Sequence, residues 1–133
     1  MFVGNRNGDN ELYVMNADGT GVTRLTTDEA EGDHAGWSPD AKRIVFSSDR
    51  DGGQLHIFVM NPDGTGVTQL TSGDFTDDDP TWSPDGKQIA FQSTRDGHEE
   101  IYMMNADGTG QTRLTFNEGI FNAVPSWRAG PLP

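Results

Sequence analysis

No cysteine occurs in the 133 residues. Disulfides, thiol nucleophiles and thiolate metal sites are therefore excluded, and the compartment stays open. Basic residues are scarce: nine Lys and Arg stand against 21 Asp and Glu, a formal net charge of −12 and a pI of about 4.3. Phosphate backbones are held by clustered Lys and Arg, so nucleic acid is not expected as a partner, whereas cationic ligands, metal ions or a basic protein or peptide are. Soluble all-β proteins also carry acidic turns simply to resist aggregation. Long apolar runs are missing, so no membrane segment is expected. Met1 leads directly into Phe2-Val3-Gly4 without the basic and apolar regions of a secretory leader. The expected location is thus cytoplasmic, or periplasmic or extracellular if a leader has been removed. Nor does any stretch carry the 3.6-residue stripe of an amphipathic helix.

The sequence has instead 17 glycines and seven prolines, placed between short apolar runs as a strand-and-turn protein requires. The punctuation repeats. Trp37, Trp82 and Trp127 are 45 residues apart; Met15, Met60 and Met104 are spaced 45 and 44; Phe2, Phe46 and Phe91 are spaced 44 and 45. A period of roughly 40–50 residues with four short apolar segments per unit is that of propeller blades.

The middle unit shows the four strands. Strand A runs through Gly36-Trp37-Ser38 and stops at Pro39-Asp40; strand B carries Ile44-Val45-Phe46 and ends at Asp49-Arg50-Asp51-Gly52. Strand C, from Leu55 to Met60, is a nearly unbroken apolar run, as expected of a strand covered on both faces. Strand D, from Val67 to Thr71, alternates like an exposed outer strand. The predicted fold is all-β: a propeller of four-stranded antiparallel blades, with strands B to D of blade 1 at 2–26, blade 2 at about 33–71, blade 3 at about 78–115 and a final strand A at about 123–128. Three blade-equivalents per chain, set against propellers that close with typically 4–8 blades, predict a six-bladed homodimer in which each C-terminal strand A completes the blade begun by the partner's N-terminal strand B.

Trp82-Ser83-Pro84-Asp85-Gly86-Lys87, Ile89-Ala90-Phe91, Arg95-Asp96-Gly97, the run from Ile101 to Gly108 and Thr112-Arg113-Leu114-Thr115 closely resemble the TolB-type, WD-like propeller repeat over essentially the whole chain. The resemblance implies six-bladed architecture. Its implication for function is broad, since family members serve as periplasmic interaction modules, as gating domains on peptidases and as surface or regulatory domains. Nothing in this sequence corresponds to the N-terminal α/β domain of TolB or to the hydrolase domain of the peptidases. Trp127 is followed by Arg128-Ala129-Gly130 in place of Ser-Pro-Asp-Gly, and Ala41 stands where the third unit has Gly86.

Acidic residues gather before each strand A: Asp33 and His34 before Trp37, and Asp77, Asp78 and Asp79 before Trp82, with Asn122 at the third copy. Because the innermost strand lines the tunnel in TolB-like propellers, these six residues are expected at the tunnel mouth. There the carboxylates of Asp33, Asp78 and Asp79 could hold calcium or magnesium, dock a basic peptide, or serve only as solvated turn residues. The variable connections at 74–79 and 117–122 are the expected partner-contacting surface. Trp37, Trp82 and Trp127 recur in every blade and read as packing anchors. Asp49-Arg50-Asp51-Gly52 fails as a calcium loop, since Phe58 falls where a bidentate Glu is needed.

An enzyme is not expected: no Gly-x-Ser-x-Gly elbow is present, and His34, His56 and His98 sit at non-equivalent positions. The leading reading is a non-enzymatic binding or scaffold module. Two others stand beside it: an enzyme or accessory domain acting on carbohydrate or peptide, and a half-propeller fragment or repeat-amplified chain without an evolved ligand.

Overall fold

The computed structural model describes residues 1–5, 8, 10–27, 34–116, 122–128 and 130. Among them are eleven strands and no helix. Strands β1 (Phe2–Gly4), β2 (Glu11–Val14) and β3 (Thr23–Arg24) form the first antiparallel sheet. β4 (Ala35–Trp37), β5 (Ile44–Ser48), β6 (His56–Met60) and β7 (Thr68–Gln69) form the second. β8 (Asp77–Trp82), β9 (Gln88–Ser93), β10 (Glu100–Asn105) and β11 (Thr112–Arg113) form the third. Each sheet is a meander in chain order, so among the described residues one three-stranded sheet is followed by two four-stranded blades.

The expected final strand A at 123–128 forms no strand. A strand exists only as part of a ladder, and no described residue offers this segment one. It is held instead by the Trp127 indole N–H, which donates to the Thr81 carbonyl at 3.2 Å. The repeat turn Asn-x-Asp-Gly-Thr-Gly builds itself from its own side chains. In the middle copy the Asn61 amide donates to Thr65 Oγ1 at 3.0 Å, and the Thr65 N–H and hydroxyl both donate to Asp63 Oδ1. The closing glycine sits at φ 66°, where a Cβ would stand 2.7 Å from the Asn61 amide, so any other residue would be strained and would push that amide aside.

The cores lie between the blades. Strand side chains alternate faces, and in blade 2 both faces are used. Ile44, Phe46, Phe58 and Met60 pack with Leu12 and Leu25 of blade 1. Val45, Ile57 and Val59 pack with Ile89, Phe91, Tyr102 and Met104 of blade 3, with Leu70 and Trp82 at the edge. Fully burying each such apolar side chain contributes about 1.5–3 kcal/mol, which explains why β6 reads as an apolar run where a one-sided strand would alternate.

Polar locks flank these cores. Glu11 receives hydrogen bonds from Arg24 and Thr26, and Glu100 receives the equivalent pair from Arg113, at 2.5 Å, and Thr115. In blades 1 and 3 the carboxylate at the start of strand C thus ties down strand D. The Thr115 hydroxyl, with the Arg113 guanidinium assisting, holds the Glu100 carboxyl below the usual range.

Candidate functional site

β4 and β8 are the first strands of their blades and lie side by side. β8 does not run regularly. Asp77 and Asp78 face Ser93 and Gln92, whereas Thr81 and Trp82 face Ala90 and Ile89, so one extra residue is accommodated between Asp78 and Thr81. The irregularity is a β-bulge, with Asp79 in the left-handed region at φ 52°. Pro80 suits such a place, since it has no N–H to give to a ladder.

The bulge re-aims the acidic side chains. In a regular strand Asp78 and Asp79 would point to opposite faces, yet here both carboxylates meet one imidazole. His34 Nδ1, just ahead of β4, lies 3.1 Å from Asp78 Oδ1 and 3.2 Å from Asp79 Oδ1. The three groups offer ligand atoms all within 4.8 Å of one another. His34 is half exposed and the two carboxylates are largely covered. Burial pushes the Asp79 carboxyl above its ordinary value. The nearby His34 and the Val124 backbone N–H pull it back down only in part, and the Asp78 charge adds to the rise. One nitrogen and two oxygens at this spacing can receive a cationic group, either the ammonium or guanidinium of a peptide or a divalent ion.

Of the residues singled out from sequence, His34, Asp78 and Asp79 thus come together across two blades. Asp33 lies outside the described residues, as do 117–121. Asn122 is turned away, its amide donating to Glu100 Oε2 at 3.3 Å. Asp77 requires a correction: it does not face a tunnel mouth, because its side chain is fully buried. The Arg95 guanidinium donates to its two oxygens at 3.0 and 3.2 Å, and His56 Nδ1 stands 3.8 Å away. Phe75, half-buried, joins the same arrangement. Arg95 lies over its ring at 4.6 Å and over that of Tyr102 at 4.5 Å, and the His56 ring meets it edge-on.

Trp82 packs against the core between blades 2 and 3, in keeping with an anchor, while Trp37 remains partly exposed.

Sequence reasoning missed Arg95 and Glu100 as centres of buried polar networks. The available signal was the recurrence of Glu11 and Glu100 with Arg24 and Arg113 at a fixed separation.

Comparison with known proteins places this geometry. Residues 51–130, more than half the chain, match the family model of the TolB beta propeller domain. The chain belongs to the TolB β-propeller family.

Among solved structures, this TolB-family chain is similar to a putative TolB from Agrobacterium tumefaciens, with a TM-score of 0.79 and 29% identity over 94% of this chain and 48% of that one. It is also similar to TolB from Acinetobacter baumannii, at 0.73 and 26% over 84% of this chain and 28% of that one. Oligogalacturonate lyase in complex with manganese shares the fold alone, at 0.59 and 22% over 76% of this chain and 28% of that one. The chain therefore spans about half the length of the first of these relatives and less of the others. No match was found among curated proteins.

Proposed function

We propose that this TolB-family chain is a non-enzymatic binding module, assembled as a homodimer into a closed six-bladed propeller, whose recognition site is the His34, Asp78 and Asp79 cluster. Its ligand is cationic: a basic segment of a protein or peptide, with a divalent ion as the smaller competitor for the same oxygens. The observation that carries this reading is the β8 bulge, which turns two neighbouring carboxylates onto one imidazole from the adjacent blade. A solvated turn would need no such convergence. The net charge of −12 adds a long-range attraction for cations and speeds their encounter with the site.

The test is calorimetric titration of the chain with a lysine- and arginine-rich peptide, and separately with calcium, magnesium, manganese and zinc. Asp78→Asn and Asp79→Asn are run beside the wild type. Saturable binding that weakens at least tenfold in both variants and falls with added salt supports the reading. Binding that ignores both substitutions would exclude this site.

A further inference from the structure

The outer faces of blades 1 and 3 carry the two halves of an interblade core that the chain itself never brings together. Within the chain, each junction is built from a fixed set of positions. The earlier blade supplies residues equivalent to Val45, Ile57, Val59 and Leu70, and the later blade supplies residues equivalent to Phe91, Tyr102 and Met104. The junction of blades 1 and 2 repeats this with Met1, Leu12, Val14 and Leu25 against Phe46, Phe58 and Met60. Carried one period further, the earlier-blade set becomes Ala90, Ile101, Met103 and Leu114 on blade 3, and the later-blade set becomes Phe2, Tyr13 and Met15 on blade 1. Each of these positions is apolar, while Ile44 and Ile89, which also belong to the two junctions, have no equivalent among them.

Exposure marks the missing contact. Met60 and Met104 are 0% and 1% exposed, while their equivalent Met15 is 48% exposed. Leu25 is 8% exposed and Leu70 packs against a core, while Leu114 is 45% exposed. The turn glycines record the same gap independently. A Cβ on Gly64 would meet the Leu25 carbonyl oxygen at 2.6 Å, and one on Gly108 would meet that of Leu70 at 3.0 Å, so each later-blade turn seats on the strand D leucine of the blade before it. Gly19, the third member, has the same left-handed backbone at φ 83° and nothing within 4 Å.

We infer that the occupant of both faces is a second copy of this chain, with Phe2, Tyr13, Met15 and the Gly19 turn of each copy seated on Ile101, Met103 and Leu114 of the other. The inference rests on the closed-ring reading above and specifies its two seams. Complementarity supports a second copy, since the apolar set that the exposed Leu114 face of blade 3 would take up is the kind that blade 1 presents around the exposed Met15. In a six-bladed ring three blades take about half a turn, so two identical head-to-tail seams close it.

The experiment is mass by light scattering after size exclusion, with thermal unfolding of each variant as a check of folding. Wild type is expected at twice the 14.5 kDa chain mass. Met15→Lys alone and Leu114→Glu alone are expected at the single-chain mass. Their equimolar mixture is expected to recover the dimer, because one seam then joins Lys to Glu and the other is native. Gly19→Ala is expected to weaken the dimer at least about tenfold, since overpacking acts at both seams. Gly52→Ala, with a similar φ of 80° and open space, should leave the dimer unchanged. A dimer that survives Met15→Lys and Leu114→Glu would overturn these seams while leaving a ring of other construction, and a monomeric wild type would overturn the ring itself. Neither result bears on cation binding at His34, which is read separately by the titration.

Discussion

Replacing Gly64 by alanine separates the two reasons for which this fold uses glycine. Gly64 sits at φ 85°, and its Cβ would stand 2.6 Å from the Leu25 carbonyl oxygen and 3.3 Å from the carbonyl carbon. Gly52 has nearly the same backbone, φ 80°, with nothing near its missing Cβ. Alanine at 52 therefore measures conformational strain alone, about 1–2 kcal/mol for an L-residue held in the left-handed region. Alanine at 64 adds a clash with backbone, which cannot swing aside as a side-chain tip would. Relieving it needs roughly 0.8 Å of movement between blades 1 and 2, to bring 2.6 Å out to the 3.4 Å of ordinary contact. That movement loosens the packing of Leu12, Leu25, Phe46 and Met60. Overpacking of this kind costs about 1–3 kcal/mol, giving a total of about 2–5 kcal/mol. Gly108→Ala, at 3.0 Å, should fall between the two. Urea unfolding with the slope unchanged and midpoints ordered wild type, Gly52→Ala, Gly108→Ala, Gly64→Ala is the expected outcome. Equal midpoints for the variants at 52 and 64 would refute interblade seating as the reason for the turn glycine.

Arg95→Met should be more destabilising than Asp77→Asn. The first strands a fully buried carboxylate at a cost of about 3–5 kcal/mol, whereas the second leaves a guanidinium that is 18% exposed and still rests on aromatic faces, about 1–2 kcal/mol. Paired urea midpoints at pH 7 check the order. Asp79→Asn should be at least as stable as wild type at pH 7 while losing cation affinity. A carboxyl raised by burial gives its stability below the unfolded-state value and loses it as pH rises through the folded one, and melting curves at pH 4 and pH 7 read the difference. The turn carboxyls Asp18, Asp40, Asp63, Asp85 and Asp107 are held low, chiefly by hydroxyls of Thr20, Ser38, Thr65, Ser83 and Thr109. Their contribution is complete above the unfolded carboxylate value of about 3.9 and is lost as pH falls through the lowered folded values. Urea midpoints should therefore drop below about pH 4, and Asp63→Asn should flatten that drop.

The strands were legible in sequence because repetition turns one uncertain reading into three aligned ones. Trp37 and Trp82 mark the ends of β4 and β8, and the run Leu55 to Met60 holds β6 within a residue. Its two-sided burial follows from composition alone, since nothing polar interrupts it after His56. The final strand A was not legible, because Trp127 and its neighbours have the residues of a strand but no described residue gives them a ladder. The cluster of His34, Asp78 and Asp79 was legible in part. Three consecutive aspartates look like one environment. The fold gives them different ones: Asp77 belongs to the ladder and points inward to Arg95, while Asp78 and Asp79 are turned out together by a bulge that depends on pairing with β9.

The same comparison across blades explains why His56 stands where the other copies have glutamate. In blades 2 and 3 strand C opens on a residue that meets the one five positions before the next tryptophan. In the third copy the buried Glu100 carboxylate faces Asn122, whose amide donates to it. In the second, His56 Nδ1 stands 3.8 Å from Asp77, an acceptor that also takes the Arg95 fork. An acid at position 56 would set two buried carboxylates against each other, and an asparagine at 77 would leave Arg95 without its ion pair. Both exchanges therefore belong to a single substitution between blades, in which the polar contact keeps one carboxylate per junction and changes the side that carries it. Such paired differences lie about 21 residues apart and are invisible to a reading that aligns the copies only with one another, because the chemistry that constrains them runs from one blade to the next.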